Sequence, residues 1–139
     1  MNPYAPVRHV MTRDPVCVEL DTPPSTARRL LSNHPFHHLP VVRSGRIVGI
    51  LSLADLLPHA LSAYVADAAT VDAHLDAVTS LERLMTMEPE TVGPDDSLLH
   101  AATLLADGRF HAVPVVDGEG AVLGILTTTD IVRHFVGLH

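Results

Sequence analysis

One stretch of this chain occurs twice, and any fold that houses one copy has to house both. The first copy reads Phe36-His37-His38-Leu39-Pro40-Val41-Val42, a turn Arg43-Ser44-Gly45-Arg46, then Ile47-Val48-Gly49-Ile50-Leu51-Ser52-Leu53-Ala54-Asp55. The second reads Phe110-His111-Ala112-Val113-Pro114-Val115-Val116, an acidic glycine-rich turn, then Val122-Leu123-Gly124-Ile125-Leu126-Thr127-Thr128-Thr129-Asp130. Each is an apolar run, a tight turn, a second apolar run, then Ser or Thr with Asp three residues on. That order predicts a β-hairpin feeding the start of a helix. Met85, Pro89, His111 and Pro114 follow Met11, Pro15, His37 and Pro40 by 74 residues each, and Gly124 and Asp130 follow Gly49 and Asp55 by 75. The one extra residue falls in the hairpin turn, where an insertion does least harm.

The flanking segments repeat too. Residues 7–11 predict a single helical turn, matched by residues 81–86, and residues 16–18 a short strand, matched by Thr91-Val92. Ser25 and Ser97 are expected to cap the helices that follow, over residues 26–33 and from Leu98 to the break at Gly108. Pro40 and Pro114 inside apolar runs predict strands with one edge incompletely paired. Gly49 and Gly124 predict a close approach of packing or ligand at the strand end. Residues 58–80 are Ala-rich, with Leu61, Val65, Ala68, Leu75 and Val78 on one helical face. They are expected to continue the first copy's last helix and cross to the second. The chain is therefore divided into residues 1–57, a helical linker over 58–80, and residues 81–139, together one globular module.

Length and charge narrow the function classes. The 139 residues, 47% hydrophobic, suffice for one compact core. There is no signal segment and no apolar run of membrane-spanning length, and Cys17 is the single cysteine, expected as a small core residue. A soluble, cytoplasmic, reduced protein is expected. A net charge of −7 with no basic run or aromatic stacking set argues against nucleic acid. The ten histidines make the charge steeply dependent on pH in mild acid. No Gly-x-Ser-x-Gly elbow, P-loop, HExxH or supported cysteine motif occurs, so catalysis is not expected. His34, His37 and His38 lack the companion ligands of a zinc signature, and no metal is expected.

Each copy runs turn, β, α, β, β, α, with His-x-x-Pro-Val-Val on the middle strand and Gly-Ile-Leu-Ser/Thr-x-x-Asp at the last strand-to-helix junction. This resembles the CBS domain, the repeat named after cystathionine β-synthase, in the tandem form called a Bateman module. The resemblance covers residues 7–57 and 81–133, leaving no room there for a catalytic or transport domain. It implies an α/β fold of two intertwined βαββα repeats about a pseudo-twofold axis. It also implies clefts between the halves for AMP, ADP, ATP or S-adenosylmethionine, with no required cofactor, and a flat homodimer.

Asp55 and Asp130 are the leading ligand-binding candidates. A carboxylate accepts two hydrogen bonds at once, which suits the vicinal hydroxyls of a ribose, and Ser52 and Thr127 can add a hydroxyl one helical turn earlier. The family uses these positions in that way. The same Ser/Thr-x-x-Asp spacing also makes a capping box that only starts a helix, and the two roles can coexist. His37, His38, His111 and Arg109 are candidates for phosphate or base. Some relatives that bind nucleotide phosphates carry His then Arg at the mouth of the middle strand. His38 and Ala112 stand where that Arg would be, so triphosphate binding is expected to be weak. Two functions compete: a regulatory sensor of an adenosyl ligand, and a ligand-free module whose product is the dimer, the partner it regulates being unspecified.

Overall fold

The computed structural model describes residues 2–56, 58 and 67–137. Its elements are β1 (Thr12–Arg13), β2 (Val18–Glu19), α1 (Pro24–Asn33), β3 (His38–Arg43), β4 (Arg46–Ser52), α2 (Ala68–Val78), α3 (Leu81–Leu84), β5 (Thr86–Met87), α4 (Leu98–Leu105), β6 (Ala112–Val116), β7 (Val122–Thr127) and α5 (Thr128–Phe135). Single 3-10 turns lie at Val7–His9 and Leu53–Leu56. The chain is α/β and divides into two compact units. The first comprises Val16–Arg43 and Val48–Glu88; the second comprises Met1–Pro15, Ser44–Ile47 and Pro89–His139.

The first unit carries a four-stranded sheet in the order β2-β3-β4-β5. β2 runs parallel to β3 only at Val41 and Val42, so Pro40, which has no N–H to give, lies beyond the pairing on that side. Leu39, Val41, Leu51, Leu31 and Ala27 are buried together, and Leu81 and Met85 complete that core. The last two come from the second sequence copy: β5 pairs antiparallel with β4 (Gly49 with Met87, Ile50 with Thr86). A Cβ on Gly49 would meet the Met85 sulfur at 2.3 Å, so the glycine is what lets the methionine seat.

The second unit repeats the plan with the exchange reversed. Its sheet runs β1-β7-β6, and β1 belongs to the first sequence copy. Thr12 pairs with Ile125 and Arg13 with Gly124, while Val92 makes a parallel bridge to Val115 in place of a full strand. Val7, Leu98, Val113, Val115 and Leu126 form the core. A Cβ on Gly124 would meet the Met11 sulfur at 2.5 Å and the Thr12 carbonyl oxygen at 2.8 Å. Both glycines therefore serve close packing by a methionine from the opposite copy.

The helix starts depart from expectation in one place. Ser97 caps α4 by accepting from the His100 amide (3.1 Å), as its position predicts. Ser25 does not cap α1. The N-cap is Pro23, and Pro24 opens the helix, its fixed φ and absent N–H suiting the first position. Ser25 is then inside the helix with its amide and hydroxyl buried, and Asp76 of α2 satisfies both, Oδ1 accepting from the amide (2.8 Å) and Oδ2 from the hydroxyl (2.6 Å). A second clamp joins the same helices: Arg28 donates to both Asp72 oxygens (2.5 and 3.0 Å), and Arg29 lies 3.4 Å from one of them. α2 has its own N-cap in Asp67, which accepts from the Thr70 amide. It buries Val71, Asp72 and Leu75, whereas Ala68 and Val78 are exposed. The buried face expected from Ala68, Leu75 and Val78 thus keeps Leu75 and is rotated to include Val71 and Asp72, the last held by the ionic clamp to α1. Leu61 and Val65 lie outside the described residues.

Candidate functional site

Each unit has one strand-to-helix junction in which a carboxylate accepts from the amide three residues before it; the second opens an α-helix and the first a 3-10 turn. In the second unit β7 ends at Thr127, whose hydroxyl oxygen accepts from the Asp130 amide (3.0 Å), while Asp130 Oδ2 accepts from the Thr127 amide (3.0 Å). This is a complete capping box at the start of α5. In the first unit β4 ends at Ser52, whose amide donates to Asp55 Oδ2 (2.8 Å). The structure therefore supports the capping role for both carboxylates. Both are half-buried. Among the described residues, Oδ1 of each carboxylate and the Ser52 hydroxyl have no hydrogen-bond partner. The Thr127 hydroxyl accepts within the box and keeps its own proton to donate.

The junctions also hold a histidine backbone. The Leu53 amide donates to the His37 carbonyl (3.1 Å), and the Thr128 amide and hydroxyl donate to the His111 carbonyl (2.9 and 3.3 Å). Ser52, Asp55 and His37 thus meet at one junction, and Thr127, Asp130 and His111 at the other. The imidazoles of His37 and His111 are exposed, and His38 is half-buried at the start of β3.

Arg109 is not directed to the junction. Its Nε donates to Asp107 Oδ2 (2.7 Å), its amide donates to Asp107 Oδ1 (3.0 Å), and its side chain is 80% exposed. The hydrogen bond from the Arg109 amide, and after it that from the guanidinium, holds the Asp107 carboxyl below its ordinary value. His34 stacks on Phe36 (5.0 Å between centroids) and its Nδ1 lies 2.9 Å from the Leu30 carbonyl. Among the described residues no three His, Cys, Asp or Glu side chains gather where a metal ion could be held. Cys17 is half-buried, and burial, with Glu19 second, pushes its thiol up, away from the reactive thiolate. No helix among the described residues is long and apolar enough to cross a membrane.

The two α2 carboxylates that hold α1, buried Asp72 and exposed Asp76, escape sequence reasoning. They interrupt an Ala-rich run where apolar residues alone were counted, and their partners lie 44 and 51 residues away. The only local sign is that α1 opens on two prolines, with no side chain of its own placed to cap it.

The chain as a whole is similar to known proteins. The family model for the CBS domain matches residues 7–62 and 79–137. The L-aspartate semialdehyde sulfurtransferase of Methanocaldococcus jannaschii is 28% identical over 137 residues, which is 98% of this chain and 24% of that protein. The chain spans less than half the length of the curated relatives it matches. Among solved structures, the CBS domain pair of protein MJ0100 in complex with 5'-methylthioadenosine and S-adenosyl-L-methionine is similar, with a TM-score of 0.78 and 27% identity. The match covers 97% of this chain and 98% of that one. CBSX2 of Arabidopsis thaliana in complex with AMP gives a TM-score of 0.78 at 28% identity, over 96% and 97%. Two repeats in register, two matching junctions and a family model covering both lead to one conclusion: this chain belongs to the CBS domain family as a tandem pair.

Proposed function

We propose that the pair is a regulatory module that binds an adenosine-containing ligand through its two strand-to-helix junctions and signals by a change of conformation or assembly. The observation that carries this reading is that Oδ1 of Asp55 and of Asp130 has no hydrogen-bond partner among the described residues. Each carboxylate is half-buried, spends one oxygen on its helix cap and stands three residues after a hydroxyl-bearing side chain, Ser52 or Thr127. A ribose diol requires that combination of acceptor and hydroxyl. The ligands named for the MJ0100 pair and for CBSX2 are all adenosine derivatives, which supports the same class here. His37, His38 and His111 are the groups proposed to meet base or phosphate. Arg109 joins them only by leaving Asp107. AMP, ADP and cationic S-adenosylmethionine should therefore be preferred over ATP without a metal, in a cytoplasmic protein that needs no cofactor and is not itself an enzyme.

A second reading, a ligand-free dimerisation module, is favoured by one feature. Val132 and Phe135 on α5 and Val136 at its C-cap are all exposed, an apolar face suited to a second copy. Dimerisation is compatible with ligand binding; an empty module is not. Thermal-shift screening with AMP, ADP, ATP, S-adenosylmethionine and 5'-methylthioadenosine separates them. A rise in melting temperature that grows with ligand concentration supports the sensor. No shift with any of the five at millimolar concentration leaves the dimerisation module.

A further inference from the structure

We propose that residues 2–13 form a releasable strap that holds the Thr127–Asp130 junction in its binding shape. At one end the strap completes the first turn of α4: the Leu98 amide donates to the Ala5 carbonyl and the Leu99 amide to the Pro3 carbonyl, both at 2.8 Å. In return the Val7 and Arg8 amides donate to the carbonyls of Asp96 (2.8 Å) and Pro94 (3.0 Å). At the other end Thr12 and Arg13 pair with β7, and Met11 covers Gly124. β7 has a neighbour on both sides only while the strap is docked; without it, β6 alone holds the strand that ends in Thr127. Strand pairing at Ile125 is two residues from the capping hydroxyl, so loosening that edge loosens the cap.

The corresponding segment of the second copy, β5 with Met85 over Gly49, is tied down differently. Ahead of it α2 is clamped to α1 by Arg28–Asp72 and by Asp76 on buried Ser25. The strap's one ion pair, Arg8 with Asp95, is exposed, with 42% and 83% of the two side chains accessible. Exposed pairs stabilise little. Asp14, which joins the strap to Pro15, and Glu88, which follows β5, share a left-handed φ of 48°, so that strain is common to both segments and the clamp between α1 and α2 is what distinguishes them. Of the two leading segments, the strap is the one built to let go. Ligand affinity and strap docking are then reciprocally linked, a step that rests on the adenosine reading.

Amide hydrogen exchange on the full chain tests this. Arg8→Ala removes an exposed contact without leaving a cavity. It should speed exchange of the Leu98 and Leu99 amides and also of the Thr127 and Asp130 amides, about threefold, as an exposed ion pair allows. Met11→Ala, acting at the other end, should do the same about tenfold. The Ser52 amide, held by Asp55 in the first unit, should not change. The proposal is overturned if Leu98 and Leu99 accelerate while Thr127 and Asp130 do not, or if Ser52 accelerates equally. Added S-adenosylmethionine should slow exchange of Leu98 and Leu99 in the unmodified protein. If S-adenosylmethionine and AMP fail to bind, the adenosine reading fails and the strap still stands or falls on the ligand-free exchange.

Discussion

Asp76→Ala is the substitution whose effect can be worked most fully from the structure. The carboxylate belongs to α2 and accepts two hydrogen bonds from one residue of α1, the amide (2.8 Å) and hydroxyl (2.6 Å) of Ser25. Ser25 is only 2% accessible, and α1 has no capping side chain of its own. Removing the carboxylate leaves a buried amide without a partner and leaves the Ser25 hydroxyl only the Arg29 guanidinium, 3.4 Å away, from which it can accept but to which it cannot donate. A hydrogen bond to a charged group contributes about 1.5–3 kcal/mol, and orphaning a buried donor costs a similar amount. Asp76 itself is exposed, so water can follow into part of the vacated space and the two losses do not add in full. A destabilisation of about 2–3 kcal/mol is expected, against about 1 kcal/mol for an ordinary cap. At this chain length that corresponds to a fall in Tm of roughly 7–10 °C. Urea unfolding followed by circular dichroism measures it. Ser25→Ala, which removes the hydroxyl but keeps the amide bond, should lose less. A loss below about 0.5 kcal/mol for Asp76→Ala, within the range of neutral surface changes, would refute the idea that α1 is capped from α2.

Three further outcomes follow from other contacts. Gly124→Ala should destabilise more than Gly49→Ala, because its Cβ meets the Thr12 backbone oxygen at 2.8 Å as well as the Met11 sulfur, whereas at Gly49 only the Met85 side chain must move; chemical denaturation giving the reverse order contradicts this. The Asp72 carboxyl is held below its ordinary value of 3.8, first by the Arg28 hydrogen bond. A depressed carboxylate stabilises above its unfolded value and loses that contribution as pH falls through the folded one. Asp72→Asn should therefore flatten the stability profile below about pH 4, and a wild-type-like acid limb in that variant counts against the clamp. Phe135→Asp, on the exposed face of α5, should convert a dimer to a monomer in light scattering, and a monomeric unmodified protein would remove the dimerisation reading.

The sequence makes the repeat legible because register is a long-range signal that survives substitution: the hairpins, the Ser97 cap and the Asp55 and Asp130 junctions all fall where the doubled pattern predicts. Periodicity within one copy cannot reveal exchange between copies. Met11 and Met85 read as apolar residues of their own repeats, yet each seats on a glycine of the other. Ser25 looks like a cap by its type and position, but Pro24 takes over the helix start and turns Ser25 into a buried residue needing Asp76. Arg109 shows a limit of the site reading. Its proximity in sequence to His111 says nothing of Asp107, which is equally near on the other side and engages it.

The most direct test is calorimetric titration of AMP and S-adenosylmethionine into the unmodified protein, Asp55→Ala and Asp130→Ala, beside their unfolding curves. Ribose binding predicts saturable binding that each substitution weakens at one site by about 1.5–3 kcal/mol, roughly ten- to a hundredfold. A loss of about 1 kcal/mol in stability with affinity unchanged would contradict it and leave both carboxylates as helix caps alone.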